Sequence, residues 1–195
     1  MRTLVFLLFC LQLSVGSAQF LSDAQLDTAY VYSSVEEAMM SPESVFVLRL
    51  KVKHGEIPPQ IFDLPYLHIL EMKRGKISSL PEDFKQLEYL ISIDLTRNDI
   101  ESFPSVLLEM PQLEVLRLGK NPINRVPEEV TRMTGLQVLD LWSTQVQQLP
   151  VVIGEMQSLR EVDLRMIEIS QAEQDYLSEL MPEVQFHFSV PCNCR

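Results

Sequence analysis

The sequence is poor in the residues from which covalent frameworks and catalytic centres are built. Among 195 residues there are three cysteines, three histidines and one tryptophan. Cys10 lies near the start, and Cys192 and Cys194 stand one residue apart at the far end, so no cysteine pair is placed to staple a core. For the C-terminal pair the options are metal ligation, a strained local disulfide, an intermolecular bridge giving a tail-linked dimer, or no role. A zinc site needs four suitably spaced ligands, and only His187 is near. His54, His68 and His187 are far apart, with no nucleophile, base and orienting group falling together, so the sequence predicts neither an enzyme nor a cofactor. His68 occupies a strand position expected to be exposed.

Basic residues are also scarce: 16 Lys and Arg face 27 Asp and Glu, a net charge of −11. An acidic body repels phosphate backbones, which argues against nucleic-acid binding. Long hydrophobic runs are missing except for Leu4 to Leu13, too short for the roughly 20 residues a membrane helix requires. Arg2 precedes that run and Gly16-Ser17-Ala18 follows it, which is the pattern of a secretory signal (residues 1–18) cleaved after Ala18. The mature chain is then expected to lack a membrane span and to be monomeric, unless the tail links two copies.

What the chain does have is a period. Pro58, Pro81, Pro104, Pro127 and Pro150 stand 23 residues apart, and apolar columns follow at fixed offsets, such as Ile61, Phe84, Leu107, Val130 and Ile153. A fixed period of this size marks a stacked array. Six segments share one spacing, from Val45-x-x-Leu48-x-Leu50 through Leu113-x-x-Leu116-x-Leu118 to Leu159-x-x-Val162-x-Leu164. This is the leucine-rich repeat pattern, with a short strand whose alternate residues face the core. Proline, with no N–H and a fixed φ, suits the first position of an outer helix or 3₁₀ turn.

The consensus Asn column is filled by Asn98 and Asn121 and partly by Thr144, while Lys53, Gly75 and Ile167 depart from it. Residues 19–41 read as an irregular lead-in followed by a capping helix from Ser34 to Met40. The repeats occupy residues 42–169. Ser170-x-x-Glu173 opens a closing helix ended by Pro182, and Val184 to Phe188 alternates as a last strand, so that residues 170–190 close the C-terminal end ahead of a 191–195 tail.

The repeat spacing, the recurrent Leu-Pro, the Ser41-Pro42 lead-in and the closing helix-Pro-strand resemble exported bacterial leucine-rich repeat proteins with 23-residue repeats, over about residues 30 to 190. The resemblance implies an α/β solenoid, a right-handed curved superhelix with parallel strands on its concave face and short helices or 3₁₀ turns on the convex side. It also implies a ligand-binding protein with no fixed ligand.

The register lists what the concave face presents. Its central column is Arg49, Glu71, Asp94, Arg117, Asp140 and Asp163; beside it run Lys51, Lys73, Thr96, Gly119, Trp142 and Arg165, and on the other side Val47, Ile69, Ser92, Val115, Val138 and Glu161. Val52, Arg74, Arg97, Lys120, Ser143 and Met166 follow as the strands end. These columns hold eight basic and five acidic residues, a mildly positive face on an acidic body. The candidate binding residues are Trp142, Arg117, Arg165, Asp94, Asp140, Asp163, Lys73 and Val115, because aromatic and arginine anchors dominate interface energetics. Two other readings stand beside this one: the Arg and Asp side chains pair with each other across strands, and Trp142 packs as a lid. Asp94 and Asp140 are two repeats apart with Arg117 between them, too far apart for one cation. The expected function is capture of a protein on the concave face, with a glycan ligand or a self-associating structural role as alternatives.

Overall fold

The computed structural model describes residues 23–189; the signal-like segment and the cysteines at 192 and 194 lie outside the described residues. Eight strands form one parallel sheet in strict chain order: β1 (Val31–Tyr32), β2 (Val47–Arg49), β3 (Ile69–Glu71), β4 (Ser92–Asp94), β5 (Val115–Arg117), β6 (Val138–Asp140), β7 (Glu161–Leu164) and β8 (Gln185–Phe188). This is the curved leucine-rich repeat solenoid. Each strand is too short to hold itself, and each pairs in register with the next, as in Leu48↔Leu70↔Ile93↔Leu116↔Leu139↔Val162. Those six side chains are fully buried and form the spine of a single continuous core.

The returning segments are 3₁₀ turns from Pro59–Asp63 to Val151–Glu155. A repeat of 23 residues leaves about five for the outer side, and a 3₁₀ turn, rising ~2.0 Å per residue against ~1.5 Å in an α-helix, spans more of it. The periodic prolines do not occupy the first helical position, as the sequence suggested. Pro81, Pro104, Pro127 and Pro150 sit one residue earlier, at the cap, with φ between −65° and −74° and extended ψ. There the proline carbonyl accepts the first bond of the turn, for example from the Phe84 N–H at 3.3 Å and the Ile153 N–H at 2.9 Å. The ring supplies the fixed φ and gives up an N–H that this position does not use.

Among the described residues, α-helix occurs only toward the two ends of the stack. The lead-in read as irregular contains α1 (Asp23–Asp27) and β1, which pairs with β2 through Val31↔Val47 and Tyr32↔Leu48. Next comes α2 (Val35–Ala38). Ser34 caps it, its hydroxyl accepting the Glu37 N–H at 3.1 Å, while the Glu37 carboxylate reaches back to accept the Ser33 N–H and the Tyr30 hydroxyl. At the other end α3 (Gln171–Leu180) starts at Ser170, whose hydroxyl accepts the Glu173 N–H, and it buries Leu177 against the last repeats. β8 then pairs with β7.

The asparagine column ties successive repeats together. Asn98 is 4% exposed; its Oδ1 accepts the Gly75 and Ile77 N–H groups at 2.7 and 3.2 Å, and its Nδ2 donates to the Met72 and Leu95 carbonyls. Asn121 accepts the Ile100 N–H at 3.1 Å and donates to the Leu95 and Leu118 carbonyls. Thr144 retains only the bond to its own turn, donating to the Leu141 carbonyl at 2.7 Å. Gly75 takes an Asn position because a Cβ there would stand 2.8 Å from Val52 Cβ and 3.2 Å from Asn98 Oδ1. Replacing Asn121 by Ala orphans a buried N–H and removes two carbonyl partners, a cost of about 2 kcal/mol. Asn121→Ala is therefore expected to melt several degrees below the parent, while the exposed Asn124→Ala melts with it; equal melting temperatures in thermal denaturation would contradict the register.

Candidate functional site

The central outward column forms as an uninterrupted row across the sheet, Arg49↔Glu71↔Asp94↔Arg117↔Asp140↔Asp163↔His187. Its three aspartates have a local task. Asp94, Asp140 and Asp163 each accept, at 3.0 Å, the backbone N–H two residues on, from Thr96, Trp142 and Arg165. They close the strand ends, which explains why Asp94 and Asp163 are buried despite their charge.

Many of the column's charges also neutralise one another. Arg49 holds Glu71 with paired bonds of 2.9 and 3.0 Å, and Lys73 spans Glu71 at 3.3 Å and Asp94 at 3.0 Å. The Arg49 hydrogen bond keeps Glu71 below the usual carboxylate range. Burial works against the Lys73 charge, yet Asp94 and Glu71 raise its pKa. Arg165 grips Asp163 through Nε at 2.9 and 3.0 Å; burial pushes that carboxyl up, and the Arg165 side chain and N–H more than offset it. His187 Nε2 lies 3.0 Å from Glu161. Cross-strand pairing thus accounts for Lys73 and Asp94 from the candidate set, and pairing within a single strand end accounts for Arg165 and Asp163.

Arg117 is different. It is exposed and, among the described residues, its side chain makes no ion pair or hydrogen bond, although Asp94 and Asp140 flank it in register. Asp140 has no ion-pair partner there either. Burial pushes its pKa up to about 6, and the neighbouring Asp163 and Asp94 add to the rise against Arg117 and the Trp142 N–H.

Trp142 is half-buried and lies against Gly119 of the adjacent repeat, where a Cβ would stand 2.1 Å from its Cδ1 and 2.2 Å from its Nε1. Lys120 Nζ sits 4.7 Å from the ring centroid, a cation–π contact. Val115 and Val138 pair across β5 and β6 on the other side of the central column, both partly exposed. The structure therefore brings Trp142, Arg117, Asp140 and Val115 together on two neighbouring strands.

The strand-exit column needs one correction and supplies residues that the candidate set left out. Arg74, Arg97, Lys120, Ser143 and Met166 all adopt left-handed backbone, φ 55° to 61°, so the conformation belongs to the repeat and not to any one side chain. Val52 does not join them. It is buried, because the first repeat exits instead through a tight turn with His54 and Gly55 at φ 56° and 80°, pinned by the Lys53↔Glu56 bridge. Arg74 and Arg97 line a groove of about 500 Å³ together with Lys73, Asp94, Thr96, Arg117 and Asp140. The signal for them was present in the sequence, as basic residues repeating 23 positions apart.

His68, expected at the surface, is 1% exposed. Its ring stacks on Tyr89, meets Phe46 edge-on, and places Nδ1 2.6 Å from the Tyr66 carbonyl. It lies beneath an aromatic cluster of which Phe46 and Tyr89 are partly buried and Tyr66 is exposed. Among the described residues, no three His, Cys, Asp or Glu side chains are grouped to hold a metal ion, and no helix is long and apolar enough to cross a membrane.

Asp140 generates a pH prediction. A carboxyl raised from 3.8 to about 6 on folding stabilises the native state only while protonated. Its stability contribution is complete below about pH 4 and lost as pH rises through about 6. Asp140→Asn keeps the acceptor for the Trp142 N–H and cannot ionise. It is expected to be more stable than the parent at about pH 7.5, by on the order of 1 kcal/mol after solvent screening, and to lose that advantage near pH 4.5. Melting curves at the two pH values check this.

Residues 32–185 match the model of the leucine-rich repeat region. Curated proteins give no match. Among solved structures, the chain is similar to a leucine-rich repeat protein of Leptospira interrogans, with 24% identity, a TM-score of 0.60, and coverage of 75% of this chain and 44% of that one. It is similar also to an internalin from Listeria monocytogenes, with 16% identity, a TM-score of 0.58 and coverage of 81% and 53%. A chain of the Drosophila Toll–Spatzle complex aligns at 20% identity with a TM-score of 0.64, covering 83% of this chain and 22% of that one. The protein thus spans about half or less of the length of these three relatives, and the likeness is one of fold. With the family model covering most of the described residues and the solenoid assembled repeat by repeat, the chain belongs to the leucine-rich repeat family.

Proposed function

We propose that this is an exported, non-enzymatic binding protein that captures a protein partner on the concave strand face. The observation that carries the reading is the cluster on β5 and β6, where a half-exposed tryptophan lies beside an unpaired arginine and a pair of valines. Such a cluster has the composition of an interface hot spot, an aromatic and an arginine anchor next to apolar area. The paired charges on either side supply a polar rim. The signal-like residues 1–18 support export.

Two of the similar structures are complexes, Toll with Spatzle and SNF with U2A′. They support protein binding as the class of function; the partner here is set by this chain's own face. Within the candidate set, Trp142, Arg117, Val115 and Asp140 are assigned to contact. Lys73, Asp94, Asp163 and Arg165 are assigned to holding the rim in place, since their charges are already engaged.

Affinity capture with the mature chain, beginning at Gln19, tests the reading. Trp142→Ala and Arg117→Ala are each expected to lose the same captured protein while keeping the parent's circular dichroism; retention of that species by both variants would refute a concave-face site.

A further inference from the structure

The concave charges fall into two groups. Arg49, Glu71, Lys73 and Asp94 form one connected chain of ion pairs, and Arg165 closes on Asp163. Between them the side chains of Arg74, Arg97 and Arg117 make no ion pair or hydrogen bond among the described residues, although all three line the same groove of about 500 Å³. A single exposed arginine requires no partner. Three lining one groove, with Arg74 and Arg97 on adjacent strand exits one strand spacing of about 4.8 Å apart and Arg117 in the central column of the next strand, repel one another, and an anion seated among them relieves that repulsion.

We propose that this groove binds a short acidic segment of a protein partner, with the guanidinium groups of Arg97 and Arg117 clamping its carboxylates and Arg74 completing the basic wall. This rests on the concave-face reading above and adds the chemistry of the partner. Guanidinium forks match carboxylates bidentately and lose little by partial desolvation. Asp94 and Asp140 line the same groove, and the whole chain carries a net charge of −11. A long polyanion, such as a sulfated glycan or a nucleic acid, would be repelled wherever it ran past the groove, whereas a few carboxylates on a polypeptide stay within it. Trp142 and the Val115–Val138 pair lie on the same face, on either side of the Arg117–Asp140 register pair, and provide apolar contact that a polypeptide can use. The acidic body then also orients the encounter, because the groove is the part of the surface that attracts such a segment.

The probe is fluorescein-labelled hexaglutamate, read by fluorescence anisotropy at low salt, with hexaglutamine and a sulfated oligosaccharide as comparisons. Binding of hexaglutamate is expected, weakened about tenfold or more by Arg97→Glu and by Arg117→Glu. Lys51→Glu makes the same charge change in the neighbouring groove and is expected to alter affinity less than about twofold. Circular dichroism of each variant confirms folding. Absence of hexaglutamate binding, equal weakening by Lys51→Glu, or tighter binding of the sulfated oligosaccharide would overturn the proposal. Should hexaglutamate fail while Trp142-dependent capture persists, the acidic chemistry is wrong and the concave face still binds. Should capture depend on neither Trp142 nor Arg117, the underlying reading falls as well.

Discussion

The interaction on which the rest of this structure depends is the parallel ladder between neighbouring repeats. Its strands are two to four residues long. A unit of that size loses about 1 to 2 kcal/mol of backbone entropy per ordered residue and cannot recover it from its own few inward side chains. Stacking changes the balance, because each repeat completes the burial of the next and satisfies its backbone groups. Where the strand ends, the ladder is continued by side chains: Asn98 and Asn121 reach into the preceding repeat, and both donate to the Leu95 carbonyl. The ends of the stack have neighbours on one side only, and α2 with β1, and α3 with β8, close them.

The same ladder determines what the outer surface offers. Side chains at one repeat position form a row with one strand spacing between members, so charge order along the row follows from residue order along the chain. Opposite charges that become neighbours pair, as Arg49 does with Glu71. Asp140 and Arg117 are register neighbours that form no ion pair among the described residues, which leaves both an exposed arginine and a carboxyl of raised pKa at the centre of the face. The binding potential of the face lies where that pairing is incomplete.

Much of this was legible in the sequence. The 23-residue period located β2 to β7 and their buried spine, and the central column came out in the order read from the chain. The rest depended on information that a period does not carry. β1 is two residues whose strand character comes entirely from pairing with β2. Val52 and His68 turned inward because the first repeat exits through its own tight turn and because an aromatic cluster of Phe46, Tyr66 and Tyr89 covers the imidazole. The prolines were assigned to the right element but one position too late, since their φ is equally suited to the cap. Which concave charges pair depends on how each side chain folds over its strand: Arg165 turns back onto Asp163, and Arg117, equally exposed, does not pair, although the sequence treated them alike.

The central claim is that the repeat register sets the surface, and the contact of Trp142 with Gly119 carries it in its sharpest form. A methyl group at position 119 has no room against the indole, which must move to admit it. Since Trp142 is the only tryptophan, its fluorescence reports on that contact alone. Gly119→Ala is predicted to shift the emission to longer wavelength as the ring becomes solvent-exposed, with far-ultraviolet circular dichroism unchanged. An emission maximum identical to the parent's in a folded Gly119→Ala protein would contradict the account.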